Sequence, residues 1–375
     1  MKFLIVSHVI HSKLDDKIYG YGPYIKEMNL WLKYVDEVEI IAPLRGGKPD
    51  KIDLSYKHDK LTFTQVPAFN LIGIKNKLKT ILVTPWIFTK ILIAMQRADH
   101  IHLRCPGNMG LLGSIAQIFF PSKVKTAKYA GNWDPNSLQP KTYIWQKKIL
   151  ANPILSKNMK VLVYGDWEGQ SKNVIPFFTA TYKESQKEDI PQKDLFGEIR
   201  LLFVGSLSAG KQPMLALESL KSLRDDGINV RIDMLGEGVE RSKLEKYISK
   251  YNLEKYASLH GNQNADYVKE MYKKSHFLIL VSKSEGWPKV VAEAMFWGCL
   301  PISSKVSCVA YMLDYGKRGK VIESNVNDIT KEIKYYINNP QIWDESVSQA
   351  VKWSRAFTLD RFEKEIGKLL DEKKQ

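Results

Sequence analysis

Residues 198–238 read EIRLLFVGSLSAGKQPMLALESLKSLRDDGINVRIDMLGEG. Two short apolar runs, each ending on a glycine, enclose a helix-length amphipathic segment, which is the pattern of two parallel strands joined by a crossover helix. The alternation continues through ERSKLEKYISKYN, YASLHG, ADYVKEMYKKS, HFLILVS, PKVVAEAMFW and LPISS. Strands alternating with helices in this way form a parallel sheet covered by helices on both faces. The first half repeats the rhythm less cleanly, with KFLIVSHV, EVEIIAPL, HIHLRCP, KVKTAKYAG and MKVLVYG as strands and PYIKEMNLWLKYV and MGLLGSIAQIFF as helices. The fold class expected is α/β with two Rossmann-like domains facing a cleft, because ligands of open parallel sheets bind beyond the carboxyl ends of the strands.

A chain of 375 residues is long for one core. The polar, strand-free stretch TYKESQKEDIPQKDLFGE reads as a linker, giving domains at 1–185 and 186–355 and a terminal helix over 356–375. Cys105, Cys299 and Cys308 are an odd set without metal-ligand spacing, which fits a reducing compartment, and cytoplasm is the expected address. The run after Met1 is too short for a signal peptide. TILVTPWIFTKILIAM, interrupted by Pro85 and Lys90, falls short of a transmembrane span. The net charge is +15, and residues 61–160 carry fourteen Lys and Arg against only Asp99 and Asp134. Such a bias suits polyanionic partners, or is simply a surplus of lysine that aids solubility.

Three loops of the second half fall where the sheet rule puts chemistry. FVGSLSAGK leads through Gly205 and Gly210 to Lys211 ahead of Pro213, a residue suited to a first helical turn. MLGEG presents Gly236 and Gly238, which let a ligand approach the backbone or serve the turn alone. SEGWPKVVAEAMFWG places Glu285 before a helix that starts at Pro288 and Glu293 inside it, about 7–8 Å along the axis. The helix start offers unpaired N–H groups to an anion, and a carboxylate one turn on can accept from both hydroxyls of a ribose diol. From spacing alone, Glu293 is equally a residue at the edge of the buried stripe and Glu285 an acid favoured by the helix dipole.

These motifs, taken in order, resemble the retaining GT-B glycosyltransferases of the glycosyl transferases group 1 family, family four of the usual classification. The resemblance covers the whole second domain: Gly205 to Lys211 is similar to the phosphate loop, Leu235-Gly236-Glu237-Gly238 to the second glycine turn, His260-Gly261 to the base-side loop, and Glu285 with Glu293 to the Glu, seven residues, Glu signature followed by Leu300-Pro301-Ile302. It implies that Lys211 neutralises the diphosphate, Glu293 holds the ribose, and Glu285 lies by the donor sugar, with Gly286, Trp287 and Pro288 completing the donor loop. Ser206 stands where the family has an arginine, so Lys211 carries more charge, or Lys289 or Lys305 compensates. In the first domain Asn132 of KYAGNW occupies the region where many members have a histidine, and Gly20-Tyr21-Gly22 is similar to the family's glycine turn that approaches the donor phosphates.

The implied reaction is sugar transfer from a nucleotide diphosphate sugar, UDP favoured, to a glycan or lipid-linked acceptor in cell-surface polysaccharide or glycoconjugate synthesis. No metal or other cofactor is expected, since no Asp-x-Asp signature ends a strand and Asp225-Asp226 before Gly227 reads as a turn. The tail WSRAFTLDRFEKEIGKLL resembles the family's terminal helix that returns to the first domain, or is a plain capping helix. Residues 70–92, with Lys75, Lys77, Lys79 and Lys90 beside Trp86 and Phe88, read either as an interfacial helix for an anionic membrane or as a helix that buries its apolar face. Two other functions fit less of the sequence: another reaction on a nucleotide sugar, such as epimerisation, and nucleic-acid binding, for which aromatic-basic interleaving, zinc spacing and a helix-turn-helix pattern are all missing.

Overall fold

The computed structural model describes residues 1–69 and 74–371, and of 74–79 the backbone alone. The side chains of Lys75, Lys77 and Lys79 therefore lie outside the described residues. By its packing the chain divides into two units, Met1–Phe177 joined by the chain from Glu363 on, and Phe178–Phe362.

The first unit contains strands β1 (Lys2–Val6), β2 (His11–Leu14), β3 (Lys17–Tyr21), β4 (Glu37–Pro43), β5 (Asp53–Ser55), β6 (Leu61–Val66), β7 (His100–Cys105), β8 (Val124–Tyr129), β9 (Met159–Tyr164) and β10 (Val174–Phe177). Its helices are α1 (Gly22–Trp31), α2 (Ile74–Arg97), α3 (Asn108–Ala116) and α4 (Lys141–Ala151). Seven strands form a parallel sheet in the order β10-β9-β8-β7-β1-β4-β6. Side chains alternate across it. Leu4, Val6, Ile101 and Leu103 join Ile87, Ile91 and Met95 of α2, Met109 and Ala116 of α3 and Leu150 of α4 in one core. Phe3 and His102, one residue out of step, meet Trp31 of α1 at ring distances of 6.0 and 4.7 Å.

The sequence rhythm does not announce β2, β3 and β5, which form a small antiparallel sheet closed by a hairpin with Asp15 and Asp16 at positive φ. Short polar strands lack the apolar alternation that would mark them. Gly20 accordingly lies inside β3 rather than in a turn, and Gly22 opens α1. Their missing side chains answer to the chain itself: a Cβ at Gly22 would come within 2.2 Å of the Ile52 carbonyl oxygen, and one at Gly20 within 3.0 Å of the His11 ring.

In the second unit the strands are β11 (Ile199–Val204), β12 (Val230–Leu235), β13 (Ala257–Gly261), β14 (Phe277–Leu280), β15 (Leu300–Ser304) and β16 (Lys320–Ile322). The helices are α5 (Pro213–Asp225), α6 (Arg241–Lys250), α7 (Ala265–Lys274), α8 (Lys289–Phe296), α9 (Val309–Met312), α10 (Val326–Asn338) and α11 (Pro340–Ser354), with α12 (Leu359–Asp371) closing the chain. All neighbouring strands are parallel, in the order β13-β12-β11-β14-β15-β16. The strand order reverses between β11 and β14, so the loops leaving these two strands flank a crevice.

From Glu363 on, α12 belongs to the first unit. The Glu363 carboxylate accepts two 2.8 Å bonds from Lys33 Nζ, and Gly367 leaves room for the Tyr34 ring. Among the described residues no helix is long and apolar enough to cross a membrane.

Candidate functional site

The crevice of the second sheet is built by three loops that bond to one another through their backbones. Gly205 N–H donates to Leu235 O at 2.9 Å, Leu207 N–H to Glu237 O at 2.9 Å, and Lys283 N–H, from the loop after β14, to Gly210 O at 2.9 Å. Gly236 and Gly238 are required by this closeness. A Cβ on Gly236 would stand 1.9 Å from the Gly205 carbonyl oxygen, and one on Gly238 2.3 Å from that of Leu207, with φ of 140° and 159°. The space that the sequence reading offered to a ligand at these two glycines is thus filled by the neighbouring loop.

Lys211 and Glu285 meet across the crevice. One ends the loop after β11 and the other sits in the loop after β14, and Lys211 Nζ donates to Glu285 Oε1 in a partly buried ion pair. Gln212, with φ of 50°, turns the chain into α5 at Pro213, which aims the preceding lysine into the crevice. Ser206, in the arginine's place, is exposed and shares a 3.2 Å hydrogen bond with Ser208. The donor loop is braced from behind: Ser307, itself at φ of 48°, donates its hydroxyl to Gly286 O at 2.6 Å.

Glu293 is not part of this pair. Its Oε1 accepts from Thr181 Oγ1 at 2.7 Å and its Oε2 from the buried Tyr272 hydroxyl at 3.2 Å. Burial and the Glu293 charge together raise the Tyr272 phenol well above its ordinary range and keep it a donor. Trp287, read as a donor-binding residue, buries its ring against Trp353 at 6.3 Å and Phe357, so only its backbone remains to a ligand. Pro288 caps α8. Lys289 borders the same small recess as Glu293, and Lys305 is exposed just beyond β15.

A second cluster, at the ends of β12 and β13, was only half legible. Glu237 accepts from Arg241 Nη1 at 2.5 Å, and the same arginine donates Nε to Glu245 at 2.8 Å. Gly261, at φ of 71°, leaves 2.8 Å between its absent Cβ and the Glu237 carboxylate. His260 bonds Asp233 at 2.6 Å and Tyr267 at 3.0 Å. Arg241, Asp233 and Tyr267 were missed, although the spacing of Glu237, Arg241 and Glu245, four residues each, is a helical ion-pair signal.

In the first unit, Asn132 follows β8, and its Oδ1 accepts from Asp134 N–H at 2.9 Å. The crevice of that sheet, between β1 and β7, holds residues the sequence reading passed over. The His8 ring packs on Gly107, and Arg104 reaches Glu27 at 3.4 Å while lying 5.2 Å over Tyr24. Burial and the Arg104 charge lower the His8 imidazole below its ordinary value. Among the described residues no three of His, Cys, Asp and Glu are grouped to hold a metal ion, and the three buried cysteines form no disulfide.

Residues 185–355 match the family model described as Glycosyl transferases group 1. The match spans Lys211, Glu285, Glu293 and Gly261. An uncharacterized glycosyltransferase of Methanocaldococcus jannaschii, MJ1178, is 26% identical over 46% of this chain and 47% of its own length. Protein CapJ of Staphylococcus aureus is 22% identical over 99% of this chain and 95% of its own. A Campylobacter jejuni N-acetylgalactosamine-N,N'-diacetylbacillosaminyl-diphospho-undecaprenol 4-alpha-N-acetylgalactosaminyltransferase is 26% identical over 49% of this chain and 48% of its own. The similarity to MJ1178 and to the Campylobacter enzyme thus spans about half the length of each. Among solved structures, Anabaena HepE in complex with UDP and glucose has a TM-score of 0.66 at 14% identity and covers 99% of both chains. The fold is therefore that of the GT-B glycosyltransferases, two Rossmann-like domains with parallel sheets.

Proposed function

We propose that this protein is a retaining, metal-independent glycosyltransferase that moves a sugar from a nucleotide diphosphate sugar, with UDP favoured, to a glycan or lipid-linked acceptor at the cytoplasmic face of the cell membrane. The observation that carries the reading is the meeting of Lys211 and Glu285 between the loops of β11 and β14, at the reversal point of the second sheet. Support for the donor comes from the UDP in the HepE complex, and for the acceptor from the undecaprenol diphosphate in the Campylobacter enzyme's name.

In this reading the donor diphosphate takes Lys211 from Glu285 and lies against the start of α8, while Glu285 turns to the sugar hydroxyls. Glu293 spends one lone pair per oxygen on Thr181 and Tyr272, and its remaining lone pairs accept the ribose hydroxyls. The acceptor oxygen bonds to the anomeric carbon on the face that the diphosphate leaves, and the departing phosphate oxygen takes the acceptor's proton. Negative charge grows on that oxygen, where a fixed ammonium and unpaired backbone N–H groups stabilise it most.

A thermal-shift panel of nucleoside diphosphates and their sugars tests the donor. A ligand at a hundred times its Kd adds about 2.7 kcal/mol to the folded state. UDP and one UDP-sugar should raise the melting temperature, and transfer with that sugar should persist in EDTA. A panel without a stabilising nucleotide overturns the reading.

A further inference from the structure

Helices α2, α3 and α4 lie side by side on one face of the first sheet, and their inward residues share a single core. Their outward residues are not those of an ordinary solvent face. On α2, Leu82, Trp86 and Ile93 form one outward stripe, with Leu82 79% and Trp86 48% exposed. On α3 and the short turn after it, Ile115 and Phe119 are exposed, Phe119 by 66%, in a segment from Asn108 to Phe120 without a single charge. On α4, Trp145 is 61% exposed between the exposed Lys141 and Lys148. Lys90 lies 5.7 Å over the Trp86 ring, so cation and aromatic occupy the same face. None of the three helices contains an aspartate or a glutamate.

Burial of an apolar stripe normally explains a helix that is apolar all round. Here the inward stripe already supplies the core, and the outward one is additional. A protein partner or a second copy would need only the apolar residues; it would not call for the elimination of every carboxylate from three successive helices. An anionic lipid surface accounts for both features, since it accepts indole and leucine side chains at headgroup depth and repels carboxylates. We infer that the face formed by α2, α3 and α4 docks on an anionic membrane, with Leu82, Trp86, Phe119 and Trp145 inserted and Lys90, Lys141 and Lys148 at the headgroups. The inference rests on the lipid-linked acceptor proposed above and widens the sequence reading of residues 70–92 to three helices.

Flotation of the whole protein with vesicles of neutral lipid alone, or with a third phosphatidylglycerol, is the test, run without donor or acceptor. Binding should require the anionic lipid and fall with salt. Loss of each headgroup lysine should weaken it roughly fivefold, and W86E combined with W145E should lower it by at least tenfold. These side chains project into solvent, so unchanged thermal unfolding confirms an intact fold. The same double variant should keep full transfer to a detergent-solubilised acceptor, which separates failure of docking from failure of the enzymatic reading. A protein that stays unbound to anionic vesicles at low salt overturns the inference. So does a stable dimer that W86E and W145E dissolve, which would assign the face to a second copy.

Discussion

Replacing Glu293 by alanine tests whether its carboxylate works in the fold before any ligand arrives. The expectation from spacing is that the change weakens nucleotide binding and leaves the fold intact. The geometry argues otherwise. Two hydroxyls donate to this carboxylate, and Tyr272 is completely buried, so its hydroxyl has no access to water when the acceptor is removed. Hydrogen bonds to a charged acceptor are worth roughly 1.5–3 kcal/mol each, and a stranded buried donor costs about as much. Thr181 is only partly buried and recovers most of its loss from water. The balance is a destabilisation of about 2–4 kcal/mol, or roughly 5–15 °C in the melting temperature of a domain of this size. Ligand-free thermal unfolding followed by circular dichroism reads it directly. Glu293→Gln retains one acceptor oxygen and should lose less. Tyr272→Phe combined with Glu293→Ala should cost clearly less than the two changes added, because Tyr272→Phe removes the donor that Glu293→Ala strands. A Glu293→Ala melting point within about 1 °C of the parent would refute the structural role and leave the carboxylate entirely to the ribose.

Two further outcomes follow from the charges. Lys211→Ala should lower kcat more than it raises KM, because the diphosphate charge it faces grows toward the transition state; a loss confined to KM contradicts this. Burial holds the His11 and His276 imidazoles down at about 4, aided for His276 by the Lys193 charge. Between pH 6.5 and 4 the unfolded chain therefore binds protons that the folded one does not, and stability falls as pH drops through that window. The loss is up to about 3 kcal/mol per histidine. Denaturant titrations at pH 7.5 and 4.5 should differ accordingly, and equal midpoints would show that these rings titrate alike in the folded and unfolded chain.

Local signals carried the parallel sheets. Glycines end β11 and β12, Pro213 stands at the start of α5 and Pro288 before α8, and each is set by backbone conformation within a few residues. The pairing of Lys211 with Glu285 was foreshadowed only because both fall at strand ends that the sheet rule brings to one crevice.

Other features depend on partners distant in the chain. Glu293 has a position on a helix that the sequence specifies, yet what its oxygens accept is decided by Thr181 and Tyr272, 112 and 21 residues away. Gly236 and Gly238 read as openings for a ligand until the backbone of Gly205 and Leu207 is seen to fill them. The strands β2, β3 and β5 left no periodic trace because they are short and polar. The sequence by itself determined the strand-helix alternation of the two parallel sheets, since periodicity and turn chemistry act between near neighbours. Only the tertiary structure decided which polar atoms are already satisfied and which face of α2, α3 and α4 remains uncovered, because burial and hydrogen bonding are properties of the packed neighbours.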